Sequence, residues 1–413
     1  MHNVHTCKVL EKLVIEGMSC YTYPRDYLIS DTIVALIVKT GSMCESSSQL
    51  GVSHFLEHMI AYPLMNSALV KNSSHNYAYT NFYETVYLFS KSNIIVDDLG
   101  FVSDCIYAIK QIFSGDLINE NLISDIRNEV INEFSTIDAK KNTVLQKLFE
   151  HDFHSVNLPI GDLHCINSFC INDITQYHKK WYTLSNSSIF VLSDIEKPRI
   201  VSLINNFLFS DTEAKTTFTL TKKVHSSSIP GIEKSTSTKS ECHKICFLSK
   251  YRRTKASLEN HFEAYISIVL AIDLLKYSFE NCGTAYDMNL GELIVALDIF
   301  SNDWYLIQFS LTSVSRAVDV DLNSIMMSMK FSETFYETIR RDLCCSIESN
   351  AVQNQNPKTS DLFTECINNY LFDEPLLDVN AEKTLVLSCL DRISYQGVLS
   401  ISHTIINNIV SIT

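Results

Sequence analysis

Two histidines and a glutamate stand close together in the stretch "GVSHFLEHMIAY", Gly51 to Tyr62. On a helix, His54 and His58 share one face and can offer imidazole nitrogens to a single ion. Glu57 lies three after His54, beside the same face, where it could hold a water. Neutral imidazoles bind Zn2+ well, and an open coordination position leaves a water to be activated. A neighbouring carboxylate then acts as general base and passes the proton to a leaving amine. A solvated helix face explains the five residues equally well, so a third protein ligand decides between the two readings.

Glu133 supplies that candidate by a separate route. In "ISDIRNEVINEFSTI", the residues Ile123, Ile126, Val130 and Ile137 mark an apolar helical stripe, and Glu133 falls inside it. A carboxylate on a buried face is costly unless it is paired or bound to a cation. A buried hydrogen bond or salt bridge is the simpler alternative. Two histidines and one glutamate form a known catalytic zinc set. Glu129 lies off the stripe and reads either as an exposed residue or as a support behind the ligands.

The elements that must position these groups follow from pattern. "CKVLEKLVIEGMSCYTYP" reads as a hairpin turning near Glu16 and Gly17, and "DTIVALIVKTG" as a buried strand. The serines of "CESSSQLGVSHFLEHMIAY" could cap the start of the motif helix, with Pro63 ending it. "YAYTNFYETVYLFS" reads as one further strand, followed by helices near 96–114 and 119–151. "SSIFVLSDI" is a strand and "EKPRIVSLINNFL" a helix. After a polar stretch the pattern restarts with strand "HKICFLSKY", a long helix, strands "LIVALDIF" and "WYLIQFSL", and more helices. This predicts an α+β fold of two structurally homologous α/β sandwich halves, each a mainly antiparallel sheet packed against helices. The boundaries are 1–210 for the domain bearing the motif, 211–240 for a linker and 241–413 for the second domain.

Composition narrows the function classes. A chain of 413 residues exceeds one ordinary hydrophobic core, and 46% apolar residues fit a globular protein. The net charge of −14 argues against nucleic acid, and the one basic cluster, "SKYRRTK", reads as a solvated loop. The 13 cysteines include no C-x-x-C pair and read as small buried hydrophobes of a reducing compartment. The longest apolar candidate, "ISIVLAIDLL", is interrupted by Asp273, and the first residues lack the pattern of a signal peptide. The expectation is a cytoplasmic protein with no membrane partner. His151 and His154 in "EHDFHS" have no matching acidic pattern and read as a solvated helix end.

The H-x-x-E-H order is the inverted zincin motif. With Glu133 standing 75 residues beyond His58 in "NEVINEF", the chain resembles the pitrilysin (insulinase) family of zinc peptidases, in its short processing-peptidase branch. The resemblance implies one Zn2+ per chain held by His54, His58 and Glu133, with Glu57 as catalytic base. The family's additional acidic residue seven before the ligand is Ile126 here, so Asp125 or Glu129 would replace it. "YAYTNFYETVY" resembles the family strand carrying Thr80, Thr85 and Tyr87, which pairs with extended substrate backbone by strand addition. On that resemblance Asn76, Ala78 and Thr80 bind substrate, although Tyr77 interrupts the family's Asn-Ala pair.

Active members also place an Arg and a Tyr near the zinc from the second half or a partner, to stabilise the oxyanion. "ENCGTAYDMNL" resembles the surroundings of that Tyr and suggests Tyr286, but Phe279 stands where the Arg would be and Lys276 is the nearest upstream base. The second domain is therefore expected to be catalytically degenerate. The chain resembles the zinc-bearing subunit of a heterodimer whose homologous partner supplies the Arg/Tyr pair. The expected activity is a metalloendopeptidase cleaving short or unstructured peptides, with the leader of a modified bacterial peptide as one candidate substrate. The alternative is a non-catalytic structural or peptide-binding subunit.

Overall fold

The structure, a computed structural model, describes residues 10–24, 31–65, 67, 75–92, 98–135, 139–151, 157–193, 195–208, 243–254, 257–282, 290–313, 322–353 and 359–411. The chain forms two compact units. The first takes residues 1–137, 157–233 and 356–376, and the second takes 138–156, 234–355 and 377–413.

In the first unit, β1 (Glu11–Ile15) and β2 (Met18–Pro24) form the expected hairpin. Its turn residues Glu16 (φ 47°) and Gly17 (φ 87°) are both left-handed, as a two-residue turn matched to strand twist requires. The buried run becomes β3 (Asp31–Val38), followed by α1 (Val52–Met65), β4 (His75–Thr80) and β5 (Thr85–Ser92). Then come α2 (Asp98–Ser114), α3 (Ile123–Phe134), α5 (Leu163–Ser168), α6 (Ile171–Trp181), β6 (Ser187–Ser193) and α7 (Lys197–Leu208), whereas α4 (Ala139–Leu148), between α3 and α5 in the chain, belongs to the second unit. The sheet order is β1-β2-β6-β3-β5-β4, antiparallel except for the β2–β6 pair. One sheet face packs on α1 and α2 through Leu36, Phe55, Met59, Tyr87 and Ile106. The other face buries Ile33, Ile37, Leu88 and Phe190 under Leu362, Phe363 and Cys366.

The second unit holds β7 (His243–Arg252), α8 (Leu258–Glu280), β8 (Leu290–Ile299) and β9 (Trp304–Ser313). Helices α9 (Leu322–Ser328), α10 (Glu333–Gln353), α12 (Val379–Leu390) and α13 (Tyr395–Asn407), with short β10 (Val410–Ser411), complete it, whereas α11 (Thr359–Phe372) belongs to the first unit. Its sheet is wholly antiparallel in the order β10-β7-β9-β8. Phe247, Phe309 and Ile307 pack there against Leu270, Leu274 and Ile405. The expected α+β class and mainly antiparallel sheets are present in both units.

Four local expectations are corrected. "YAYTNFYETVYLFS" is a hairpin of two strands, because Asn81 N–H donates to Glu84 O (2.8 Å) and reverses the chain. The stretch 119–151 is not one helix but α3 and α4 in different units. Ile126 and Val130 are buried in the first core, while α4 packs on β7 and Phe149 stacks on Phe300 (4.2 Å) in the second. Pro63 lies inside α1 rather than ending it, and the N–H groups at its start are met by a distant carboxylate, as described below. The cut at 210 and 241 also misses two segments, since 138–156 and 356–376 each join the unit that the other half of the chain builds. The linker 211–240 lies outside the described residues. The eleven described cysteines are all free, and Cys20, Cys105, Cys165, Cys366 and Cys389 are buried as small hydrophobes.

Candidate metal centre

α1 is buried on almost every side from Val52 to Ile60, so its polar residues are carried into the interior of the first unit. Its start is set by Glu45. That buried carboxylate accepts the Gly51 N–H (2.7 Å) and the Ser53 N–H (2.8 Å), satisfying donors that the first helical turn leaves open. Burial pushes Glu45 up to about 7, against the opposing pull of those two N–H groups. Gly51 (φ +94°) and Gly161 (φ +81°) meet backbone to backbone at the same point, an approach that no side chain would permit. Sequence reasoning did not find Glu45; an acidic residue six before the helix-opening glycine was the available signal.

α3 packs across α1 and brings Glu133 to the two imidazoles. His54 Nε2 and His58 Nε2 are 3.1 Å apart, and Glu133 Oε2 lies 3.5 Å from the first and 3.3 Å from the second. Tetrahedral zinc with bonds of about 2.0–2.1 Å separates its ligand atoms by about 3.3 Å. The three donors thus converge as one ion requires, and they form the one such cluster found among the described residues. Glu133 is only half-buried, consistent with an open side to the centre.

Glu57 follows on the same helix, buried, with Oε2 3.9 Å from His54 Nε2. Burial raises its pKa, partly offset by His58 and His54. Glu129 faces the back of His58, 3.7 Å from Nδ1, which leaves Nε2 to point at the centre. Ile126 is buried, Asp125 is exposed, and Glu129 is therefore the carboxylate at hand behind a ligand. Burial alone would lower His58, but Glu129, Glu133 and Glu57 outweigh it and push His58 up to about 10. The hydrogen bonds of His54 and His58 hold Glu133 well below the usual carboxylate range. Carboxylates that hold a proton on His58 would equally hold a cation in its place.

β4 places Asn76, Ala78 and Thr80 along one face, with Ala78 against the core that contains α1. Tyr77 and Tyr79 point the other way and stack (6.2 Å). Thr80 reaches the centre directly: its hydroxyl donates to Glu57 Oε2 at 3.5 Å. β4 ends the strand order, so its outer edge carries no strand among the described residues. Tyr286 and His154 lie outside the described residues, and His151 is exposed.

Two histidines and a glutamate around one point, with a second glutamate beside it on an H-x-x-E-H helix, make up the donor set of the inverted zincin motif. Residues 29–160 match the insulinase family (peptidase family M16). Among curated proteins it is 26% identical over 218 residues to the probable zinc protease PqqL of Escherichia coli, covering 48% of this chain and 23% of that protein. It is 23% identical over 392 residues to a zinc protease PQQL-like protein of Arabidopsis thaliana, covering 88% of this chain and 37% of that one. The chain thus spans well under half the length of these relatives. In fold it is similar to the crystallised first half of the Escherichia coli periplasmic protease PqqL, with a TM-score of 0.74 at 14% identity, covering 97% of this chain and 90% of the other. No helix among the described residues is long and apolar enough to cross a membrane.

Proposed function

We propose that this chain is the zinc-bearing part of a metalloendopeptidase that cleaves short or unstructured peptides. The observation that carries the reading is the convergence of His54 Nε2, His58 Nε2 and Glu133 Oε2 with Glu57 beside them. His54, His58 and Glu133 would hold one Zn2+, whose Lewis acidity acts on water and on the scissile carbonyl. Glu57 takes the proton from the attacking water on a carboxylate oxygen and returns it to the leaving amine. Its raised pKa suits both halves of that exchange. Glu129 keeps the His58 ring oriented.

Extended substrate would add to the outer edge of β4, with Asn76, Ala78 and Thr80 on the side of the metal. The oxyanion donors, an Arg and a Tyr, would come from Tyr286 in part or from a homologous half or partner subunit. A leader peptide of a modified bacterial peptide and a cytoplasmic setting remain parts of the proposal.

The test is Glu57→Gln, which keeps the size of the side chain. It should retain stoichiometric zinc and lose about 10²–10⁴-fold in kcat, the usual contribution of a general base. Substantial remaining cleavage would refute the role of Glu57, and purified wild-type protein without zinc would refute the peptidase reading.

A further inference from the structure

We propose that Thr80 is a positioning residue that orients the Glu57 carboxylate, with its own hydroxyl placed by the β4–β5 hairpin. This rests on Glu57 being the general base, and it gives Thr80 a task other than pairing with substrate.

The placement begins with register. Thr80 stands directly opposite Thr85 where the hairpin closes, and their hydroxyl oxygens are 3.4 Å apart. Both side chains are β-branched and stiff at χ1, so the register fixes where each hydroxyl sits. Thr85 is fully buried, and its single proton goes to the main-chain carbonyl of Thr40 (2.9 Å), which can only accept. Thr85 therefore has no proton to give to Thr80.

Thr80 has one proton and two acceptors in reach, Thr85 Oγ1 at 3.4 Å and Glu57 Oε2 at 3.5 Å. A bond to a carboxylate is roughly twice as strong as one to a neutral hydroxyl, so the proton turns to Glu57. The contact is long, as catalytic hydrogen bonds often are before substrate tightens them. Beneath this pair the Tyr87 and Tyr182 hydroxyls bond each other (2.9 Å) in a fully enclosed layer. The hydroxyl of Thr80 thus stands at the open end of a rigid, buried scaffold. Thr80 is also the last residue of the edge strand, so peptide pairing along β4 would fix the residue that aims the base.

The experiment uses the full zinc-loaded chain with Thr80→Val, Thr80→Ala and Thr80→Ser, and a long and a short internally quenched unstructured peptide. Thr80→Val should lower kcat about 10–100-fold, the range of one hydrogen bond to a charged group, with KM and zinc content unchanged. Thr80→Ala should match it, and Thr80→Ser should restore most of the rate. Added to Glu57→Gln, Thr80→Val should have no further effect. A readout independent of turnover is isotope-edited infrared spectroscopy. The carboxylate band that disappears in Glu57→Gln should shift in Thr80→Val and keep its position in Thr80→Ser.

Wild-type kcat and an unshifted band in Thr80→Val would overturn the inference. So would a KM effect that grows with peptide length, which would make Thr80 a substrate contact, or loss of zinc, which would make it a structural residue. If Glu57→Gln stays active, the general-base reading itself fails. If Glu57→Gln is inactive while Thr80→Val is unaffected, only the role of Thr80 fails.

Discussion

Gly161→Ala tests how the metal helix is seated. The backbone at Gly161 has φ +81°, a left-handed conformation that costs an alanine roughly 1–2 kcal/mol. A methyl group there would stand 2.7 Å from both Gly51 N and Leu50 O, and closer still to Gly51 Cα. These are backbone atoms with no rotamer to escape into, so overpacking adds about 1–3 kcal/mol. The total expected loss is about 2–5 kcal/mol. Gly17→Ala is the control. Gly17 shares the left-handed conformation (φ +87°), but nothing lies within 4 Å of an added methyl, so only the conformational cost applies. The chain has two tryptophans, Trp181 in the first unit and Trp304 in the second. In a Trp304→Phe background, fluorescence during urea unfolding therefore follows the unit that holds the metal centre. Because Gly51 immediately precedes α1, zinc affinity should fall in Gly161→Ala and not in Gly17→Ala. Equal destabilisation of the two variants, or undiminished zinc affinity in Gly161→Ala, would refute the argument that this glycine pair seats the helix.

Glu129→Gln should weaken zinc about 10–100-fold in a chelator competition, because it removes the carboxylate behind His58 Nδ1. Phe149→Ala, which deletes a fully buried ring stacked on Phe300 and near Trp304, should cost the second unit about 3–5 kcal/mol while zinc affinity stays within twofold. It is read from the urea midpoint of Trp304 in a Trp181→Phe background. Burial raises Glu84 to about 7 in the folded state, so the folded protein binds that proton more tightly than the unfolded chain. The resulting stabilisation is full below about pH 4.5 and is lost as pH rises through 7, at up to about 1.4 kcal/mol per pH unit. Glu45 contributes in the same direction. Glu84→Gln should flatten that slope in urea titrations run between pH 4.5 and 7.5, while an unchanged slope would remove Glu84 as its source.

Within the site, the residues legible in the sequence were those whose relation is local. His54, Glu57 and His58 share a helix face because the helical repeat dictates it, and Glu133 was visible as a carboxylate on an apolar stripe. The stripe itself is present at Ile126 and Val130, both buried. Ile137 lies outside the described residues. The strands β3 and β6 and the β1–β2 hairpin were equally legible, since continuous apolar runs and a Glu-Gly turn are short-range signals. What the sequence did not reveal was the Glu45 cap and the contact of Thr80 with Glu57, both of which act across chain distance. Glu45 caps a helix from outside it, and the hydroxyl of Thr80 turns to Glu57 only once α1 lies beside β4.

The sequence by itself therefore determined the chemistry on offer: donor types, their spacing on each helix and the alternation of strands and helices. It did not determine which unit each helix joins. The stretch 119–151 has one apolar pattern, yet α3 is buried in the first unit and α4 in the second. Periodicity reports that a face is buried, but not by what. Only the tertiary structure decided that α3 crosses α1 and brings Glu133 Oε2 to within 3.3 Å of His58 Nε2, because that distance depends on how two helices pack and not on the number of residues between them.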